Sequence, residues 1–181
     1  MEKIVELPQG VNARMDGRCL ILAGPLGECR KDFSKMTSTH IAVEDNQIKL
    51  ACDFSGKKEK MVLHTAEAHV KNMILGVTAG FRFVVDVISV HFPIRVAVVG
   101  DEVTISNFIG GKSDVKFKKR SDVKMEVASG GKQVVLTGTN LESVSLMAAR
   151  LEQATKKRLR NKDRRVFKDG LYISKRGYMN E

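Results

Sequence analysis

The feature that most constrains what this chain can fold into is that its sequence repeats itself once. The stretch Val11-Asn-Ala-Arg-Met-Asp-Gly17-Arg-Cys-Leu-Ile-Leu22 lies on Ile94-Arg-Val-Ala-Val-Val-Gly100-Asp-Glu-Val-Thr-Ile105 at one constant offset, and the same offset sets Gly27 on Gly110. Each half then continues with two alternating apolar runs split by a polar turn: Ile41-Ala-Val with Ile48-Lys-Leu, and Val123-Lys-Met-Glu-Val with Val134-Val-Leu. Each half closes on a helical pattern. In the first, Val62, Ala66, Val70, Met73 and Val77 recur every three or four residues ahead of Gly80. In the second, Leu141, Val144, Ala148, Leu151 and Thr155 do so behind Asn140, an N-cap residue, with Glu142 in the first turn.

Short antiparallel strands need a covering element on one face, and one amphipathic helix per half supplies it. The fold class is therefore α+β, with two tandem duplicated domains, each a small antiparallel sheet packed on one amphipathic helix, plus a basic C-terminal arm. The expected bounds are 1–80 and 81–158 for the two repeats and 159–181 for the arm, which associates with the second domain. No Ser/Pro-rich linker separates the repeats at Phe81, so the junction is stiff.

Charge says what such a chain would meet. A formal net charge of +10 on 181 residues is a self-repulsion that an anionic partner relieves, and nucleic acid is the commonest such partner. The excess is uneven. Between Arg150 and Arg176 lie eleven basic residues against three acidic ones, and a second concentration comprises Lys112, Lys116, Lys118, Lys119, Arg120 and Lys124. The C-terminal run also carries Phe167, Leu171, Tyr172 and Ile173, with a turn at Gly170, which predicts an extended arm packed partly on its own domain and partly into a partner. Arginine forks there suit phosphates, while Asn161 and Tyr172 suit sugars and base edges.

Other chemistries find little support. Gly111-Lys112-Ser113 has the ending of a phosphate loop, but Ser106 stands where that loop needs a glycine. Moreover, Asp114-Val-Lys-Phe alternates as a strand where a helix should open. A Gly-Gly hairpin connection with a two-residue turn is the expected structure. His64 and His69 are five apart on a helix, the wrong spacing for a metal pair, and His40 and His91 have no companion carboxylate or cysteine motif nearby. No catalytic residues, metal site, cofactor or small-molecule substrate are expected. Three cysteines without CxxC spacing point to a reducing compartment, and neither a secretory leader nor a run long enough to cross a membrane is visible.

A specific set of motifs then appears in order: GPLGE at Gly24 to Glu28, NMILGVTAGFR from Asn72 to Arg82, HFPI from His91, NFIG from Asn107, GTN from Gly138, and NKDRRVFKDGLYIS from Asn161 to Ser174. On these residues the chain resembles, from about Ile4 to Gly177, the universal large-subunit ribosomal protein family called L-six in bacteria, in its eukaryotic and archaeal form, called L-nine in many eukaryotes. The resemblance implies a duplicated α+β fold and a structural, non-enzymatic role in cytoplasmic ribosomes, with assembly in the nucleolus if the source is eukaryotic. It also implies a position near the translation-factor binding region, with large-subunit ribosomal RNA and neighbouring ribosomal proteins as partners. Carried over, the RNA grip falls on Lys156, Lys157, Arg158, Arg160, Asn161, Lys162, Arg164, Arg165, Lys168, Gly170, Tyr172, Lys175 and Arg176, with Gly110, Gly111 and Lys112 as a weaker candidate. The segment from Lys156 to Arg160 is longer and more basic than the family pattern, and the loop over Phe54 to Glu59 is shorter. The competing reading is a free RNA-binding module or RNA chaperone with two KH-like or RRM-like domains. GPLG has the Gly-x-x-Gly form of a KH clamp, yet it lies between strand patterns and lacks basic middle positions.

Overall fold

The computed structural model describes residues 1–44, 46–53, 56–159, 163 and 166–180. The chain divides into two compact units, Met1–Gly80 and Phe81–Glu181.

In the first unit, β1 (Glu2–Glu6), β2 (Asn12–Asp16), β3 (Cys19–Gly24), β4 (Gly27–Asp32), β5 (Thr39–Glu44) and β6 (Gln47–Cys52) precede α1 (Lys57–Thr78). The strands form two antiparallel three-stranded sheets, ordered β1-β6-β5 and β2-β3-β4. Strand periodicity decides what is buried: Leu20 and Leu22 from β3 and Ile48 and Leu50 from β6 meet Leu63, Ala66, Val70 and Val77 of α1. The buried stripe of α1 runs one position away from the expected one at its start, through Leu63 with Val62 half-buried, because a 3.6-residue period drifts against whole-number spacing over a long helix. The helix also begins earlier than the loop reading of 54–59 supposed, since Lys57 to Glu59 are its first turn; Phe54 and Ser55 lie outside the described residues. It stops at Gly80, whose φ of +65° costs a glycine nothing and whose N–H donates to the Leu75 carbonyl at 3.1 Å.

The second unit runs β7 (Phe81–Ile88), β8 (Arg95–Val99), β9 (Glu102–Ser106), β10 (Val115–Lys118), β11 (Lys124–Ala128), β12 (Gln133–Gly138), α2 (Leu141–Arg158) and β13 (Gly170–Tyr178). Its sheets are β10-β9-β8 and a four-stranded β11-β12-β7-β13. The first six strands and helix repeat the order of the first unit, and β13 is extra. The two-residue turns Gly17-Arg18 and Gly100-Asp101 occupy equivalent places, closing Asp16 on Cys19 and Val99 on Glu102, with φ of +60° and +58° at the glycines. Asn140 caps α2 as the sequence predicts, its Oδ1 accepting from the N–H of Glu142 at 3.0 Å and of Ser143 at 3.4 Å. The α2 face that packs on β7, β12 and β13 is Val144, Met147, Ala148, Leu151 and Thr155. Among the described residues, no helix is long and apolar enough to cross a membrane, and Cys19, Cys29 and Cys52 form no disulfide.

Candidate nucleic-acid interface

The last turn of α2 carries Lys156, Lys157 and Arg158, placed where cations complement the negative end of the helix dipole. The three are not equivalent. Lys156 Nζ lies 2.6 Å from Glu152 Oε1, a helical pair one turn apart, so its charge is partly spent inside the protein. Lys157 is exposed and has no ion pair among the described residues. Arg158 reaches forty-five residues back along the chain, donating from Nη1 to the Ser113 carbonyl at 2.7 Å and from Nη2 to Ser113 Oγ at 3.1 Å.

That contact pins the 107–114 connection between β9 and β10 against the helix end. The connection is eight residues long, from 107 to 114, in place of the expected two-residue Gly-Gly turn. Its reason is Phe108, 2% exposed, which drops from the loop into the core and forces left-handed backbone at Asn107, Ile109 and Gly110 around it. Asn107 is held by its own Nδ2, which donates to the Pro93 carbonyl at 3.0 Å, and Gly110 faces the Phe92 ring, which a β-carbon would approach to 3.1 Å. Gly111 is extended, at φ −71°. No helix follows Ser113, so the phosphate-loop reading has no geometry to stand on. Lys112 points away from the core and is exposed.

A second fastening closes the C-terminal side. Asp169, 2% exposed, accepts from the N–H of Val90 at 2.7 Å and of His91 at 2.9 Å through Oδ1, and meets His91 Nδ1 at 2.6 Å through Oδ2. The His91 ring also stacks on Phe167, centroids 4.7 Å apart. Burial pushes the Asp169 carboxyl up, but the His91 ring and the two backbone N–H groups outweigh it and hold the group below the ordinary aspartate value. His91 therefore has the companion carboxylate that sequence reading did not find, seventy-eight residues away. His40 likewise gains Asp53, at 3.0 Å on the surface. Among the described residues, no three His, Cys, Asp or Glu side chains gather as a metal site.

Beyond Asp169 the chain enters β13. Gly170 is buried, and a β-carbon there would press on the Tyr172 ring at 3.2 Å and Thr155 Oγ1 at 3.4 Å, so its part is close packing of the strand on α2. Tyr172 is half-buried, whereas Lys168, Lys175 and Arg176 are exposed. The other basic concentration is more neutralised than its sequence suggests, because Lys116 faces Glu102 at 4.0 Å, Lys119 faces Asp101 at 3.8 Å and Arg120 faces Asp122 at 3.2 Å. The GPLG stretch is a two-residue turn that closes Gly24 on Gly27 between β3 and β4. It leans on α1 through the Leu26 N–H, which donates to the Val77 carbonyl at 3.1 Å, so it is no clamp between helices.

Comparison with known proteins places this architecture. The family described as ribosomal protein L6 matches residues 7–80. Large ribosomal subunit protein uL6 of Sulfurisphaera tokodaii is 39% identical over 95% of this chain and 90% of its own length, and that of Ignicoccus hospitalis 40% over 98% and 95%. Large ribosomal subunit protein uL6A of Saccharomyces cerevisiae is 35% identical over 99% of this chain and 96% of its own. The chain belongs to the uL6 family.

Membership agrees with the resemblance drawn from the motifs, and it makes the chain a structural protein and not an enzyme. Of the residues singled out for RNA contact, the fold gathers Lys112, Lys156, Lys157 and Arg158 at one end of α2 through the Ser113 contact, and sends Lys175 and Arg176 along β13. Arg160, Asn161, Lys162, Arg164 and Arg165 lie outside the described residues. Sequence reading missed the positioning roles of Asp169 and Arg158. The Lys-Asp-Gly order before β13 was the only local sign of the first.

Proposed function

We propose that the protein is a constituent of the large ribosomal subunit that binds ribosomal RNA near the translation-factor binding region and stabilises the fold of that RNA. The observation that carries this reading is full-length similarity to uL6 proteins in a chain of net charge +10 whose exposed cations crowd the end of α2 and the strand beyond it. Lys112, Lys157 and Lys168 are the cations we assign to phosphate contact there. Arg158 and Asp169 set the geometry, one holding the 107–114 connection and the other the entry to β13. In the sequence, the segment 160–165 between these two residues adds further positive charge. Contacts of this kind release counterions condensed on RNA, so affinity falls steeply with salt. Recognition follows the shape of the folded RNA more than its base sequence, because A-form helices hide their major-groove edges.

The test is crosslinking in cell extract, with sequencing of the attached RNA and mapping of the crosslinked residues. Crosslinks from the region 156–176 to one compact part of large-subunit ribosomal RNA support the proposal. Crosslinks scattered over messenger RNA would replace it with the free RNA-chaperone reading.

A further inference from the structure

The basic run that the sequence presents as a single arm is divided by the fold between two places. One is the α2 end with Lys112 and Lys157, to which we add Lys168, exposed and three residues ahead of Leu171, whose N–H donates to Thr155 of α2 at 3.3 Å. The other lies at the far end of β13, roughly 20 Å further on at the ~3.3 Å rise of a strand residue. There the pairing with β7 sets Gly177 opposite Arg82 and Lys175 opposite Val84. Opposed residues of an antiparallel pair share a face, so these four stand together on one side of the sheet. It is the side away from α2, which covers the alternate set Phe81, Phe83, Val85 and Leu171.

What makes this place a site is a break in strand regularity. The register shifts between Ile173 and Lys175, leaving Ser174 unpaired in a bulge whose Oγ donates to the Val84 carbonyl at 3.2 Å. A bulge re-aims the side chains that follow it. Here Arg176 is sent over the Phe83 ring, 5.9 Å from its centroid, while Lys175 is turned to the Arg82 face. Gly177 has no side chain to fill the space opposite Arg82, and a hollow results, lined by Val84, Ser174 and the Arg176-Gly177-Tyr178 stretch, with Arg82 and Lys175 as the cations on its face of the sheet. Arg82 and Lys175 are exposed and make no ion pair among the described residues. Asp86, the acid on the same face of β7, is engaged by Gln133, whose Nε2 donates at 3.0 Å.

Two exposed cations at diagonal positions on one face of a strand pair, without ion pairs among the described residues, suit a phosphodiester, which needs charge and donors but no depth. We propose that this hollow is a second phosphate-binding site, with Arg82 and Lys175 as its binding groups, and that it takes the backbone of an RNA segment different from the one held at the α2 end. The proposal rests on the RNA-binding reading above and extends it: because β13 packs on α2 and pairs with β7 along its length, the two sites are held at a fixed separation within one unit, the protein ties two RNA segments together, and the second contact forms at high effective concentration once the first is made. Arg82 is not among the residues that the C-terminal motif brings forward.

The full chain and its variants are titrated with protein-free large-subunit ribosomal RNA of the source organism over a range of salt, with hydroxyl-radical footprinting at saturation and thermal melting of each variant. R82Q with K175Q is expected to weaken binding several-fold, to lower the salt slope by roughly one to two, and to erase one patch of RNA protection. The patch that K157Q with K168Q erases should remain. R82K keeps the charge on the same strand position and should keep the patch, which separates phosphate contact from any loss of folding. If R82Q with K175Q leaves the slope and every patch unchanged while K157Q with K168Q weakens binding, the second site does not exist and the RNA-binding reading stands. Loss of both patches together from R82Q with K175Q, at unchanged melting, means one shared site and overturns the proposal of two. If the wild-type chain protects no ribosomal RNA, both readings fall.

Discussion

The two units share an order of six strands and a helix, and they differ most at one sheet edge. In the first unit β1 is an edge strand, and it carries Glu2, Lys3 and Glu6, charges of the kind that discourage edge-to-edge pairing. In the second unit the equivalent strand is β7, Phe-Arg-Phe-Val-Val-Asp-Val-Ile, far more apolar, and β13 covers it along its whole length. Duplication therefore supplied the scaffold, and the added strand both closes the sticky edge and brings in basic residues. Edge closure and the exposed cations Lys175 and Arg176 become properties of one element in the second unit, whereas the first holds its core without such a strand.

The largest test of that contrast is L171A. Leu171 is fully buried where β13 meets α2 and β7, so truncation should destabilise the second unit by about 2–5 kcal/mol. The first unit has its own core of Leu20, Leu50, Leu63 and Val70 and should be untouched. Amide exchange read unit by unit checks this, and an equal loss of protection in both units would sink the idea that β13 serves only the second.

Next comes the fastening at the entry to β13. D169N keeps the shape but removes the charge that holds His91 and two backbone N–H groups, and the expected cost is about 1.5–3 kcal/mol. The pH dependence has a definite sign. The Asp169 carboxyl is held below its ordinary value in the folded state, so the unfolded chain binds its proton first as pH falls. Its contribution is complete above the ordinary aspartate value, about 3.9, and is lost as pH drops through the lower folded value. The acid limb of the second unit's stability curve should therefore be shallower in D169N than in wild type. Identical limbs would remove Asp169 from the account.

What the sequence showed and what it hid divides along the same line. The repeat was legible because its signals are local: glycine turns at Gly17 and Gly100, period-two runs, and a capped helix pattern behind Asn140. Pairing of β13 with β7 was not, because the two strands are far apart in sequence and their register depends on a bulge at Ser174 that no propensity marks. Leu171-Tyr-Ile announced an ordered segment without saying where it docks. His91 read as lacking a companion carboxylate because that carboxylate, Asp169, arrives only with the tertiary fold. Arg158 read only as a phosphate grip, and its hold on Ser113 is visible only once the 107–114 connection lies beside the helix end. Phe108 hid for the same reason, since an aromatic next to Ile-Gly-Gly reads as part of a turn until the core below it is seen.

Helix entry offers a smaller contrast. Asn140 caps α2 through its side chain, while Gly56 stands at the start of α1 without a side-chain bond. N140A should cost the second unit about 1 kcal/mol, read as a shift in the denaturant midpoint of that unit with its slope unchanged. A null result would mean that α2 is fixed by packing alone, as α1 must be.

The smallest expected effect tests the duplication itself. Gly17 and Gly100 hold the same turn in the two units at nearly the same φ, +60° and +58°, and a β-carbon at either place would meet no atom within 4 Å. With sterics from neighbours absent, the penalty for alanine is purely that of a left-handed backbone, roughly 1 kcal/mol, and it should be equal in G17A and G100A. Both positions also begin a two-residue turn between short strands, so the strand pairing that alanine strains is alike. Matched midpoint shifts, each confined to its own unit, would show that the equivalence extends from sequence to energy. A clearly larger loss for G100A would mean that the second unit leans on its β8–β9 turn to position the 107–114 connection beyond it, and the two hairpins would then be alike in shape but not in burden.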